Sequence, residues 1–168
     1  MSQAARLAAA LVPALHERGL TVAVAESLTG GLVMATLTEI PGASAVLRGG
    51  PVVYATDTKA SELGIDTGLL AAQGPVSALV AEAMAVGVRT RWQADIGLAT
   101  TGVAGPEGQD GHPVGEVYVA LADASDSFAL PCSLGEAGDR AAIRQQAVER
   151  ALFALAAHIG IAGEAPAG

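Results

Sequence analysis

Between residues 21 and 40 the chain changes its hydrophobic period. Thr21-Val-Ala-Val-Ala25 is an apolar, β-branched run bounded by Gly19, whereas Leu32, Val33, Ala35, Thr36, Leu37 and Ile40 recur at helical spacing. The first pattern predicts a short buried strand, the second a helix beginning near Thr29. Glu26, Ser27 and Thr29 therefore fall on a strand-to-helix turn, where Gly30 and Gly31 let backbone or a ligand approach closely. Unpaired N–H groups at a helix start attract anions, and a serine on such a turn can present its hydroxyl to them. Ser27 or Thr29 can equally serve only as an N-cap. The turn alone leaves both readings open.

The other segments are consistent with this unit. Residues 3–18 place Leu7, Leu11 and Leu15 on one helical face, and Gly19 ends that helix. Val46-Leu47 and Gly50 to Ala55 read as a strand weakened by Pro51. Helices are predicted over 57–63, capped by Thr56 or Asp57, over 67–73, and from a Ser77 cap to Arg91. Ala94 to Thr101 is a second buried strand, and Glu116 to Leu121 with Ser127 to Leu134 a hairpin. A last helix covers 140–159, preceded by a loop over 135–139. The order α-β-α-β-α-α-α-β-β-β-α predicts a single α/β domain, a mixed β-sheet layered with helices, ordered over about 3–160 with a tail at 161–168.

Composition narrows the partners. The net charge of −8, with only nine lysines and arginines in 168 residues, argues against nucleic-acid binding, which needs clustered cations. No run of 18 apolar residues exists, and Arg6, Pro13 and Glu17 break the first segment, so neither a membrane span nor a signal peptide is expected. A cytoplasmic protein is the expectation. Cys132 is the only cysteine, which excludes an intrachain disulfide and a cysteine-based zinc site. His16, His112 and His158 form no metal pattern, and His112 has no aspartate at a fixed spacing for a Ser-His-Asp triad. No metal or cofactor is expected.

Polar residues gather after the strands, in 26–31, in Ala43-Ser44, in 54–59 and in the 14-residue loop Gly102 to Gly115. Strand ends beside helix starts are where open α/β sheets bind ligands. Lys59 is the only lysine, and Tyr54 lies five residues before it. A lysine in a dry pocket can lose its proton and activate a hydroxyl nucleophile. Either residue can also be a solvated or core side chain. Thr101, Gly102 and Gly105 can offer backbone N–H groups to a phosphate, although no P-loop fingerprint is present. Arg140 and Arg144, four apart on one helix face, can add bidentate phosphate donors or simply pair with Glu136 or Asp139.

Taken together, Ala25-Glu-Ser-Leu-Thr-Gly-Gly31, Pro41-Gly-Ala-Ser44, Tyr54 with Lys59, Thr100-Thr-Gly-Val-Ala-Gly-Pro106, Pro113-Val-Gly115 and Gly138-Asp-Arg140 resemble the CinA C-terminal domain family, the nicotinamide mononucleotide (NMN) deamidases. The likeness runs from about residue 5 to 160. Thr100, Val103 and Pro51 depart from its usual residues without removing a candidate catalytic group. The resemblance implies hydrolysis of the NMN carboxamide to nicotinate mononucleotide and ammonia, without a metal, by a homo-oligomer, a dimer, in the stand-alone form of the domain. An amide hydrolase lacking cysteine and metal needs a hydroxyl and a base. Here Ser27 or Ser44 would supply the hydroxyl, Lys59 the base and Tyr54 a relay or orienting group. Thr29, Gly30 and Gly31 would offer oxyanion N–H groups, and Thr101, the loop amides and the two arginines would hold the 5′-phosphate. Ser27 ranks before Ser44 because its turn carries those amides. A non-catalytic nucleotide-binding or regulatory module would share the glycine-rich loops but need no serine–lysine pair.

Overall fold

Large and small side chains alternate along the central strands, and this alternation decides which helices lie on which face. In the computed structural model, which describes residues 1–134 and 139–161, strand β1 spans Val22–Glu26, β2 Leu47–Gly49, β3 Ile96–Gly102, β4 Glu116–Ala122 and β5 Ser127–Ser133. Helices α1 (Gln3–Glu17), α2 (Leu32–Thr38), α3 (Thr56–Leu63), α4 (Thr67–Gln73), α5 (Ala78–Arg91) and α6 (Arg140–His158) surround them. Val22, Val24, Ile96, Leu98, Val119 and Leu121 point to one face and pack on α1 and α6. Ala23, Ala25, Ala99, Ala120 and Ala122 point to the other, under α5. Small residues bring that helix close. A Cβ on Gly97 would lie 2.0 Å from the Ala85 carbonyl oxygen, so only glycine fits there.

The sheet has the order β2-β1-β3-β4-β5. Strands β2, β1 and β3 run parallel, and β4 and β5 continue the sheet antiparallel. This is the mixed, helix-layered α/β sheet expected from the element order. No helix among the described residues is long and apolar enough to cross a membrane.

Three local expectations change. The strand forecast over Val46-Leu47 and Gly50 to Ala55 is reduced to the short β2, which ends at Gly49. Past it the chain stays extended, but Pro51 has no N–H for a ladder, and only a bridge between Val52 and Glu26 forms. The second helix begins at Leu32 rather than near Thr29, because Gly30 and Gly31 hold φ of 60° and 98°, outside the helical region. Helix α3 starts without a side-chain cap from Thr56 or Asp57. Ser77 caps α5 as anticipated, accepting from the Val80 N–H at 3.2 Å. The loop forecast over 135–139 lies largely outside the described residues, as does Gly138 of the last motif and all but the first residue of the tail.

Candidate active site

The site grows from the end of β1. The Glu26 N–H donates to the Pro51 carbonyl at 3.1 Å, the Glu26 carbonyl accepts from Val53 at 2.8 Å, and the Ser27 N–H donates to Thr100 of β3 at 3.0 Å. Backbone on both sides thus fixes where Ser27 begins its turn. The turn closes on itself through the Gly30 N–H, which donates to the Ser27 carbonyl at 3.1 Å. Below it lies the Glu26 carboxylate, fully buried, which accepts from the N–H groups of Gly31, Val33 and Met34 at 2.9, 3.1 and 2.9 Å. An acidic group at a helix start is favoured by the partial positive charge of those unpaired amides. Glu26 therefore caps α2 from the preceding strand. The Thr29 hydroxyl, also buried, is paired with that of Thr100 at 2.8 Å.

Helix α3 delivers Lys59 to the same place. Its ammonium nitrogen is 3.1 Å from the Ser27 hydroxyl oxygen and donates to the Val53 carbonyl at 2.8 Å, with 1% of the residue exposed. Both partners are neutral, and no carboxylate pairs with it among the described residues. Burial without a counter-charge disfavours the protonated form and pulls Lys59 from 10.5 to about 8. At pH 7 about a tenth of the molecules would then hold the amine neutral. A neutral amine keeps two N–H donors and gains a lone pair, so it can hold the Val53 carbonyl while accepting the Ser27 proton.

Ser27 and Lys59 open into a cleft that is also lined by Leu28, Tyr54, Thr56, Pro75, Val76, Glu107, Gln109, Arg140 and the stretch from Thr101 to Gly105. Thr101 donates its hydroxyl to the Pro75 carbonyl at 2.7 Å, which ties the β3 end to the segment before α5. A Cβ on Gly102 would come within 2.6 Å of the Glu116 carbonyl oxygen, so glycine is needed where β3 and β4 close on each other. Arg140, at the start of α6, donates to the Gly105 carbonyl and to the Tyr54 hydroxyl. Tyr54 is 58% exposed and stands at the cleft's rim.

Of the residues nominated by the sequence, Ser27, Tyr54, Lys59, Thr101, Gly102, Gly105 and Arg140 meet in this one cleft. Ser44 does not. It sits exposed in a 3-10 turn, Ala43–Ala45, and lines a separate surface hollow with Thr38 and Leu47. Val46 follows it by two residues and bonds to Val22, at the opposite end of β1 from Ser27. At about 3.3 Å per residue the two serines stand roughly 15 Å apart along the sheet. Arg144 does not line the cleft either. Its Nε and Nη2 donate to the carbonyls of Leu28 and Thr29 at 2.9 and 3.0 Å.

Two of the amides expected to be open at the turn are occupied. The Gly30 and Gly31 amides already serve Ser27 and Glu26, whereas no described residue accepts from the N–H of Leu28 or Thr29. The capping role of Glu26 goes beyond the residues nominated from the sequence, although an acidic residue just ahead of a helix start is a signal for one. His112 pairs with Glu116 at 3.0 Å, outside the cleft. No group of three or more metal-ligating side chains occurs among the described residues.

Comparison with known proteins gives the family and agrees with the fold. The family model described as the CinA C-terminal domain matches residues 4–159. A CinA-like protein of Frankia casuarinae is 54% identical over 138 residues, covering 82% of this chain and 31% of its own length. One from Gloeobacter violaceus is 47% identical, covering 89% of this chain and 35% of its own length. The chain thus spans about a third of the curated relatives it matches. Among solved structures, a competence/damage-inducible protein of Agrobacterium tumefaciens superposes with a TM-score of 0.89 at 38% identity, covering 94% of this chain and 96% of that one. A CinA superfamily protein of Escherichia coli gives 0.86 at 31% identity, covering 90% and 88%.

Proposed function

The chain belongs to the CinA C-terminal domain family, and from that premise we propose that it is an amidohydrolase that converts NMN to nicotinate mononucleotide and ammonia. One observation carries the reading: a buried lysine, bonded only to neutral oxygens, lies 3.1 Å from a serine hydroxyl at the floor of an open cleft. An unpaired buried lysine is costly to keep for packing alone. Beside a serine it is a general base.

In the proposed reaction, neutral Lys59 accepts the Ser27 proton as the hydroxyl oxygen attacks the carboxamide carbon. The N–H groups of Leu28 and Thr29 receive the developing oxyanion; one such donor is worth about 3–4 kcal/mol. The C–N bond then breaks, and Lys59 returns the proton to the departing nitrogen, so ammonia leaves and an ester on Ser27 remains. Water, deprotonated by Lys59, hydrolyses that ester and restores the serine. Arg140 contributes positive charge for the 5′-phosphate, and Tyr54 holds the Arg140 side chain at the rim.

Coupled detection of ammonia from NMN tests the reading, run with and without a chelator. Release by the wild-type protein, lost in Ser27→Ala and kept in Ser44→Ala, is the expected result. Binding of NMN without ammonia release would instead favour a nucleotide-binding module. Loss in Ser44→Ala with retention in Ser27→Ala would transfer the nucleophile's role to the other serine.

A further inference from the structure

Two arginines one turn apart on α6 do different things. Arg140 faces the cleft. Arg144 lies behind the turn, and its planar fork spans two consecutive carbonyls, those of Leu28 and Thr29, at 2.9 and 3.0 Å. Both bonds are partly buried, and a charged donor to a carbonyl makes a stronger bond than a neutral one. Gly30 makes room for the fork: a Cβ there would come to 3.2 Å from Nη2.

A trans peptide holds its C=O and N–H on opposite sides of one rigid plane. Pinning the Leu28 carbonyl toward α6 therefore turns the Thr29 N–H to the side away from α6. Pinning the Thr29 carbonyl likewise sets the Gly30 N–H, which is found bonded to the Ser27 carbonyl at 3.1 Å. We infer that Arg144 is a positioning residue: it aims the Thr29 N–H, and the turn around Ser27, at the place where the oxyanion forms, without touching substrate. The inference rests on the deamidase reading of this cleft. It assigns Arg144 to the rate of the chemical step, not to phosphate binding. A lysine cannot replace it, because a single ammonium does not hold two successive carbonyls in one plane.

The test uses the full chain with Arg144→Lys and Arg144→Ala. For Arg144→Lys, kcat should fall about 10²-fold, the size of losing an oxyanion donor, while KM for NMN stays within about twofold. The pH midpoint near 8 should not move, because Lys59 keeps its surroundings. Methylguanidinium added to Arg144→Ala should recover part of kcat where methylammonium does not, a response that a generally loosened fold would not give. A wild-type kcat in Arg144→Lys, or a raised KM at constant kcat, would overturn the inference.

Amide exchange separates this outcome from failure of the deamidase reading. If the wild-type protein releases no ammonia, the function is wrong. Faster exchange at Thr29 and Gly30 in Arg144→Lys, with β1 unchanged, would still uphold the clamp, and unchanged exchange there would refute it. Arg144→Lys also serves where Arg144→Ala does not fold.

Discussion

The Ser27 turn separates two buried ionisable groups that the protein treats in opposite ways. On the α2 side, the Glu26 carboxylate receives three backbone N–H groups and sits in the positive end of a helix. On the α3 side, Lys59 is equally hidden but meets only a carbonyl and a hydroxyl, and burial draws it down to about 8. The fold thus compensates the charge that builds the turn and leaves uncompensated the one beside the serine. A fully satisfied charge is a scaffold. A charge left short of partners is ready to give up its proton near neutral pH.

The sharpest way to break this contrast is Lys59→Met. Removing the base should lower turnover about 10³–10⁴-fold. Its effect on stability should run the other way. The native lysine titrates near 8 and the unfolded one near 10.5, so between those pH values the unfolded chain binds more protons and stability rises with pH. Below 8 both states are protonated, and the buried charge costs on the order of 3 kcal/mol. Lys59→Met should therefore be at least as stable as wild type in urea at pH 7, with its advantage shrinking as pH approaches 10. A stability difference that does not change with pH would show that Lys59 is not held as a desolvated amine. In the wild-type protein, kcat/KM should climb as pH passes 8 and then level off. Glu26→Gln probes the other side. Replacing the carboxylate under three amides should cost on the order of 2 kcal/mol in unfolding free energy, yet reduce kcat of the folded protein less than tenfold. A collapse in kcat at unchanged stability would give Glu26 a chemical task and erase the distinction.

These two groups also mark where the sequence was readable. The turn could be located because an apolar run at Val22 to Ala25 gives way to helical spacing at Leu32, both of them local signals. The same holds for the layered sheet, whose strands and helices each show their own local period. What could not be read depends on partners distant in the chain. Ser44 stood as a close second to Ser27 until the pairing of β2 with the start of β1 put it at the other end of the strand. Arg144 looked like a second phosphate donor, but its carbonyl partners lie 116 and 115 residues earlier. Gly50 to Ala55 has strand-like residues, yet Pro51 interrupts the ladder that would have made it one. Dryness at Lys59 belongs to this class as well, since its partner Ser27 lies 32 residues away on another turn of the chain.

Smaller effects are expected at the rim, where solvent weakens every charge. Arg140→Ala should raise KM for NMN about tenfold, worth about 1.4 kcal/mol, and leave the riboside, which lacks the phosphate, nearly unaffected. Equal losses on both substrates would mean that Arg140 supports the Gly105 loop and does not bind phosphate. Tyr54→Phe should do least. Its hydroxyl bonds to Arg140, and at 58% exposure water can replace that bond. A two- to threefold rise in KM with kcat unchanged is the expected result, about 0.5 kcal/mol, near the lower end for a single hydrogen bond. If kcat instead fell a hundredfold, the tyrosine would have to reach the reacting atoms during turnover. The rim would then swing inward over Lys59, and the division between a dry floor and a wet edge would hold only for the empty cleft.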